Sequence, residues 1–163
     1  MQTLTEILAL LLLLLVVNGA PVVATRLLGE RLGWPVDGGR CAGDGRRLLG
    51  PGKTWRGVFV AVVAGGVLAP VLGWSFELGA LFGLLAMVGD SLSSFAKRRL
   101  GLAPSAKASG LDQLPESLLP LLGLQKYLAI GWGEALATGV LFLLVEIGLS
   151  RWLYRLHIRR QPH

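Results

Sequence analysis

The stretch with the clearest chemical potential is Gly89-Asp90-Ser91-Leu92-Ser93-Ser94-Phe95-Ala96-Lys97-Arg98-Arg99, which closes a long apolar run. On a helix advancing about 100° per residue, Ser94 lies about 40° and Lys97 about 20° from Asp90, so all three share one face. That face runs about 10 Å from Asp90 to Lys97, long enough for a metal ion at one end and phosphates at the other. An ionisable residue at or near bilayer depth points to function by default. The plainer alternatives are Asp90 paired with Lys97, or solvated at the helix end, with the cations as topology signal.

Two polar segments carry further candidates. The first, 29–56, holds Asp37, Asp44, Arg46, Arg47, Lys53, Thr54 and Arg56 among many glycines. Gly52-Lys53-Thr54 imitates the end of a nucleotide-binding P-loop. That pattern needs a glycine five residues earlier, where Arg47 stands, and a preceding strand, so a P-loop is excluded. The ingredients of a phosphate site remain: exposed amides, the Lys53 ammonium, the Thr54 hydroxyl and the guanidiniums of Arg46, Arg47 and Arg56. Lys53 to Gly57 also run into the start of an apolar span, and a helix N-terminus favours anions. A basic loop drawn to anionic headgroups is the alternative, but such a loop gains nothing from Asp37 and Asp44. The second segment, 100–116, contains Asp112, Pro115 and Glu116. Asp112 either supplies a second carboxylate for magnesium, which takes one or two carboxylates plus substrate phosphates, or caps the helix that follows, with Glu116 near its start.

The elements that position these groups are membrane spans. A hydrophobic fraction of 53% and a mean hydropathy of +0.61 across 163 residues are too high for an ordinary water-soluble domain. A single all-α integral membrane domain over 1–163 is expected, with about five transmembrane helices and two cytoplasmic polar segments. Span one is 4–28; it lacks the basic leading residues of a signal peptide, and Asn18, Gly19 and Pro21 are expected to interrupt it. Span two is Gly57 to Phe76, twenty residues without a charge. Its Gly65-Gly66 and Gly73 suggest close helix packing. Span three is Leu78 to Ala96, span four about 117–132 and span five about 134–153. Span four is the weakest, since it holds Pro120, Gln125 and Lys126. Five spans with the N-terminus outside and the C-terminus cytoplasmic put every Lys and Arg except Lys126 on the inner side, out of sixteen; omitting span four moves the tail arginines outward, so five are preferred. The expected location is the plasma (inner) membrane.

The net charge of +6 clusters beside apolar runs rather than along a groove, so nucleic acid is not the expected partner. The single cysteine, Cys41, excludes an internal disulfide and a cysteine-rich zinc site. Glu146, in span five, either pairs with Arg151 at helical distance or faces the bundle interior. His157 and His163 show no metal spacing, and Arg151, Arg155, Arg159 and Arg160 serve topology and lipid contact.

In order along the chain, several blocks resemble a known family. Asp37, Asp44-Gly45-Arg46-Arg47-Leu48-Leu49-Gly50 and Gly52-Lys53-Thr54-Trp55-Arg56-Gly57 resemble the first cytoplasmic loop of the archaeal CDP-archaeol synthases. Gly89-Asp90, Ser94-Phe95, Lys97-Arg98-Arg99-Leu100-Gly101 and Asp112-Gln113 resemble their second region, and Asn18-Gly19-Ala20-Pro21 is similar to a signature in their first span. Lys53-Thr54-Trp55 and the Gly-Asp…Ser…Lys-Arg run also look like phosphatidate cytidylyltransferases. The resemblance implies five spans and transfer of CMP from CTP to a lipid phosphate in the bilayer, with release of pyrophosphate. It implies Mg2+ held by Asp90 and Asp112, with Lys97 and Arg98 completing the catalytic set. Asp37, Asp44, Arg46, Arg47, Lys53, Thr54, Arg56 and Ser94 would bind nucleotide and phosphates, Asp37 and Asp44 by touching the ribose or cytosine or by ordering the loop. A homodimer is implied by the phosphatidate relatives. The chain departs from the family where a further Asp often stands, here Pro115 followed by Glu116. It departs from the phosphatidate enzymes at Pro104 and Gln113, and 103–110, with Ser105, Lys107 and Ser109, also differs from the archaeal pattern.

Other classes remain. Diacyl phosphatidate replaces the isoprenoid diether in one, and a relative that binds without turnover is a second. A transporter subunit is a third, against which stand the lack of an internal repeat and the one-sided charge.

Overall fold

The computed structural model describes residues 2–103 and 112–155, with side chains for 4–103 and 112–148. It is all-helical: α1 (Gln2–Leu28), α2 (Trp55–Val71), α3 (Phe76–Arg99), α4 (Gln113–Gly123), α5 (Gln125–Leu128) and α6 (Trp132–Arg155), with no strand among the described residues. Two isolated antiparallel bridges, Pro35 to Thr54 and Cys41 to Arg47, order the 29–54 loop.

α1 is apolar on every side. Leu10, Leu13, Leu14 and Val17 are buried in the bundle, while Leu4, Leu8, Leu12, Val22, Val23 and Leu27 stay exposed. A helix hydrophobic all round belongs in a large core or in lipid. By length and hydropathy, 4–28 and α3 are each sufficient to cross a bilayer; α2, with 17 residues, is apolar but shorter. The expected interruption of the first span does not occur. The helix runs through Pro21, with the Asn18 side chain donating to the Leu14 carbonyl and the Thr25 hydroxyl to that of Pro21.

α2 and α3 form a hairpin with their backbones in near contact. A Cβ on Gly65 would strike the Gly79 carbonyl, and one on Gly83 would strike that of Ala61. Small residues here let two apolar helices approach closely, as the glycines of span two suggested. The turn falls earlier than expected: α2 ends at Val71, Gly73 takes a left-handed conformation, and Ser75 caps α3 by accepting from the Leu78 amide. Phe76 thus opens α3 rather than closing span two.

α4 lies against α3, and α6 returns against α1 and α4. Phe82, Leu121, Phe142 and the buried leucines of α1 share one core. The expected fourth span is broken in the structure. α4 stops at Gly123, where only Leu124 separates it from the four-residue α5, and Ala129 is left-handed. Pro120 itself sits within α4 without ending it.

Candidate active site

Thr54 fixes where the 29–54 loop meets α2. Its hydroxyl accepts from the Gly57 amide as the N-cap, so the preceding residue, Lys53, is held at the mouth of the helix pair. Lys53 Nζ pairs with Asp90 Oδ2 on α3 at 2.5 Å. Further along α3, Lys97 Nζ pairs with Asp112 Oδ1 at 2.7 Å. Asp90 does not pair with Lys97. Instead each joins a partner brought in from a different segment, Lys53 from the loop before α2 and Asp112 from the start of α4, so two acid–lysine pairs follow one another along one helix face. Ser94 is buried on α3 between them.

Ser93 secures the second pair, since its hydroxyl lies within hydrogen-bond distance of the Gly89 carbonyl and the Asp112 carbonyl. Asp112 makes no side-chain cap for α4; its carboxylate turns to Lys97. A small half-open cleft lies beside the first pair, lined by Pro21, Val58 and Met87 on its apolar side and by Lys53, Thr54, Asp90 and Ser91 on its polar side.

The other predicted binding residues order the loop. Asp37 is nearly enclosed and accepts from the amides of Gly39, Leu49 and Gly50 and from Arg47 Nη2 at 2.9 Å. Gly38 and Gly39 are both left-handed, which lets the chain turn tightly around this carboxylate. Burial alone would raise its pKa, but the three amides and the Arg47 charge outweigh burial and lower it to about 2. Asp44 accepts from the Arg46 amide and from Arg99 Nη1 at 2.9 Å. The Arg46 amide, against a small burial effect, and then the charges of Arg99 and Arg46 hold its carboxyl below the usual range.

A reciprocal clasp of arginines joins loop and helix. Arg46 Nη1 donates to the carbonyls of Arg98 and Arg99, which end α3. Arg99 Nη2 donates back to the carbonyls of Arg46 and Arg47, and its guanidinium lies 5.2 Å from the centre of the Phe95 ring. The last carbonyls of a helix lack internal partners and carry partial negative charge, so cations are favoured there. Arg98 is buried and donates to the Ala103 carbonyl. Arg56 departs furthest from the expected phosphate role. Its buried guanidinium turns to the Gly29 and Arg31 carbonyls and to the Thr25 hydroxyl, tying α2 to the end of α1.

The structure therefore gathers Lys53, Asp90, Lys97, Asp112 and Ser94, with Thr54 at the cleft. Asp44 and Arg46 make contacts that hold the loop on α3, Asp37 and Arg47 pair within the loop, and Arg98 ties the end of α3 to the Ala103 carbonyl. Pro104, Ser105, Lys107, Ser109, His157, Arg159, Arg160 and His163 lie outside the described residues, as do the side chains of Arg151 and Arg155. The expected Glu146–Arg151 pair falls there too; Glu146 itself accepts from Gln113 Nε2 of α4 at 3.1 Å. One residue treated only as a helix-start acid belongs beside the site. Glu116 is buried on α4, among the charges of Asp90, Asp112, Glu146 and Lys53. Its signal in the sequence was the four-residue spacing from Asp112, which puts both acids on one helix face.

No three Asp, Glu, His or Cys side chains form a metal cage among the described residues. Asp90 and Asp112, each about one-fifth to one-quarter exposed, are hard oxygen donors that fit a magnesium ion completing its shell with phosphates and water.

A helical bundle with polar, carboxylate-bearing groups at one end of apolar helices is the arrangement of a membrane-embedded enzyme. A solved structure described as an intramembrane enzyme for archaeal membrane lipids biosynthesis matches with a TM-score of 0.73 and 31% identity, over 87% of this chain and 90% of that one. The family model for CarS-like CDP-archaeol synthase matches residues 3–162. CDP-archaeol synthase of Sulfurisphaera tokodaii is 40% identical, over 91% of this chain and 89% of the relative. That of Pyrococcus horikoshii is 35% identical, over 89% and 88%. The chain belongs to the CDP-archaeol synthase family.

Proposed function

We infer that this protein transfers CMP from CTP to the phosphate of an archaeal diether lipid, giving a CDP-lipid and pyrophosphate. A lipid phosphate oxygen attacks the α-phosphorus of CTP, the bond to the β-phosphate bridging oxygen breaks, and pyrophosphate leaves with that electron pair. A phosphate monoester is largely dianionic near neutral pH and needs no strong base. The barrier lies in aligning two polyanions, which favours a site made of cations and positioning groups. The observation that carries the reading is the pair of lysines, Lys53 and Lys97, set along one face of α3 and each held by an acid.

In this reading Lys53 and Lys97 receive triphosphate and lipid phosphate. Thr54 and Ser94 offer hydroxyls to phosphate oxygens, and the arginine clasp of Arg46, Arg98 and Arg99 keeps the loop in place. Asp90 and Asp112 would hold Mg2+, which when bound would supply charge neutralisation of the phosphates. The lipid headgroup enters the cleft beside Lys53 from the Pro21 and Met87 side, with its chains in the bilayer. α1, α2, α3, the broken α4–α5 unit and α6 are the five spans, with the N-terminus outside and both polar segments cytoplasmic in the plasma membrane. Resemblance to the phosphatidate enzymes supports a homodimer.

The test is pyrophosphate release from CTP by the purified protein in detergent with magnesium, supplied with diether glycerol phosphate, diacyl phosphatidate or no lipid. Release that requires the diether and yields a CDP-lipid is expected, and Asp90→Asn abolishes it while leaving membrane insertion intact. Release with diacyl phosphatidate alone would reassign the substrate, and full activity of Asp90→Asn would remove the metal site from the reading.

A further inference from the structure

We propose that Glu146 is a positioning residue for the reaction, holding Asp112 on Lys97 by anchoring its neighbour Gln113; this rests on the role of Asp112 in the proposed function. α4 starts without a side-chain cap, because the Asp112 carboxylate turns to Lys97 at 2.7 Å. Other contacts must therefore fix where the helix begins. On the α3 side, the Ser93 hydroxyl lies 3.3 Å from the Asp112 carbonyl. On the α6 side, Gln113 Nε2 donates to Glu146 Oε2 at 3.1 Å. Consecutive helical residues point about 100° apart, so Asp112 reaches α3 while Gln113 reaches α6. The start of α4 is braced from both flanks.

The packing of α6 explains why Glu146 can take this part. Ala135, Thr138 and Phe142 are fully buried, so they mark the inward face of α6. Gly139 belongs to it too: a Cβ there would lie 3.0 Å from Leu118 Cδ2 and 3.7 Å from the Ser117 hydroxyl oxygen of α4. Glu146 follows Gly139 by seven residues, two turns on and within about 20° of the same direction. There it meets Gln113, one turn nearer the start of α4 than Ser117. The Ser117 hydroxyl in turn donates to the Gln113 carbonyl at 2.7 Å. Of the two places open to Glu146 from its sequence, the structure shows the bundle interior.

Packing alone does not call for an acid here. Glu146 is the only ionisable residue between Glu134 and Arg151, in a run of apolar and small side chains where leucine recurs. An ionisable group in such a helix is costly and is retained for a task. What its carboxylate adds over leucine is a fixed acceptor aimed at Gln113. Without that acceptor the Gln113 amide is released from α6. The first turn of α4 then loses one of its two flanking supports, and the Asp112 carboxylate loses its set on Lys97. Outer partners that orient a working side chain in this way carry a large share of activity.

The experiment compares full-length wild type in detergent with Glu146→Leu, Glu146→Gln, Gln113→Leu, the Glu146→Leu/Gln113→Leu double variant and Asp112→Asn. Each is assayed for kcat and KM in pyrophosphate release from CTP with magnesium and diether glycerol phosphate, and for unfolding temperature. On a Cys41→Ser background, a nitroxide attached at Leu114→Cys, an exposed site on the first turn of α4, reports local motion by electron paramagnetic resonance without turnover. Glu146→Leu is expected to sharpen that spectrum and lower kcat about 10- to 100-fold. Its KM for CTP should stay within about threefold and its unfolding temperature should hold, since leucine suits an apolar helix. Glu146→Gln keeps an acceptor oxygen for Gln113 and should keep kcat within about threefold. The double variant should lose no more than either single one, because both act through one hydrogen bond. An unchanged spectrum in Glu146→Leu overturns the brace. A sharpened spectrum with wild-type kcat overturns its part in the reaction, and additive losses in the double variant, or equal losses in Glu146→Gln and Glu146→Leu, overturn the route through Gln113. Wild-type kcat in Asp112→Asn overturns the role of Asp112 from which the proposal starts, and no turnover by wild type overturns the proposed function itself.

Discussion

Replacing Gly89 with alanine probes the contact on which the site depends. The new Cβ would stand 2.5 Å from the Pro115 carbonyl carbon and 2.8 Å from the Glu116 Cα, whereas ordinary contact begins at 3.4 Å. These are backbone atoms at the start of a helix and cannot rotate aside. α4 must therefore retreat from α3 by about 0.9 Å or more at this point, a local overpacking worth about 1–3 kcal/mol. The retreat carries Asp112 and Glu116 with it and stretches the contact between Ser93 and the Asp112 carbonyl, now 3.3 Å. Misplacement on this scale costs roughly 10- to 100-fold in rate. The assay is CTP-dependent pyrophosphate release, with kcat and KM measured separately and thermal unfolding followed in the same detergent. Gly19→Ala is the control. Nothing lies within 4 Å of a Cβ there, and alanine in a helix is expected to hold stability or raise it by up to about 1 kcal/mol. A Gly89→Ala protein with the kcat and unfolding temperature of the wild type would refute the reasoning, because the helices would then have room that the structure denies them.

Two further outcomes follow from the loop. Arg56→Ala removes three hydrogen bonds from a buried guanidinium, so it should lower stability by about 2–3 kcal/mol and leave KM for CTP unchanged in the folded fraction; a raised KM at full stability would restore Arg56 to phosphate binding. Asp37 has its carboxyl pKa lowered from 3.8 to about 2, worth about 2 kcal/mol by linkage. A depressed folded-state pKa stabilises above the unfolded value, so the contribution is complete above about pH 4 and disappears as pH falls toward 2. Unfolding of wild type and Asp37→Asn measured from pH 7 to pH 2 should show a gap that closes over that window, and a gap constant with pH would contradict the assigned contacts.

Residue order alone carried a good deal. The apolar runs follow from the requirement that a backbone in lipid satisfy its own hydrogen bonds, and they marked α1, α2, α3 and α6 to within a few residues. The seven-residue interval from Asp90 to Lys97 set both on one helix face, because that relation depends only on helical geometry. Family resemblance was likewise legible in blocks such as Gly52-Lys53-Thr54-Trp55-Arg56-Gly57. Partnership was not. Asp90 meets Lys53 rather than Lys97, and Asp112 turns to Lys97 rather than capping α4, because ion pairing is decided by which segments fold together and not by spacing along one of them. The same holds for the arginines. Arg46, Arg47, Arg56 and Arg98 have the composition of a phosphate site, but carbonyls and carboxylates of their own chain claim them. Glu116 shows the limit most clearly: beside a proline it reads as an ordinary helix-start acid. Its burial against α3 exists only because Gly89 lets two backbones touch, a contact between residues far enough apart in the chain that only tertiary packing brings them together.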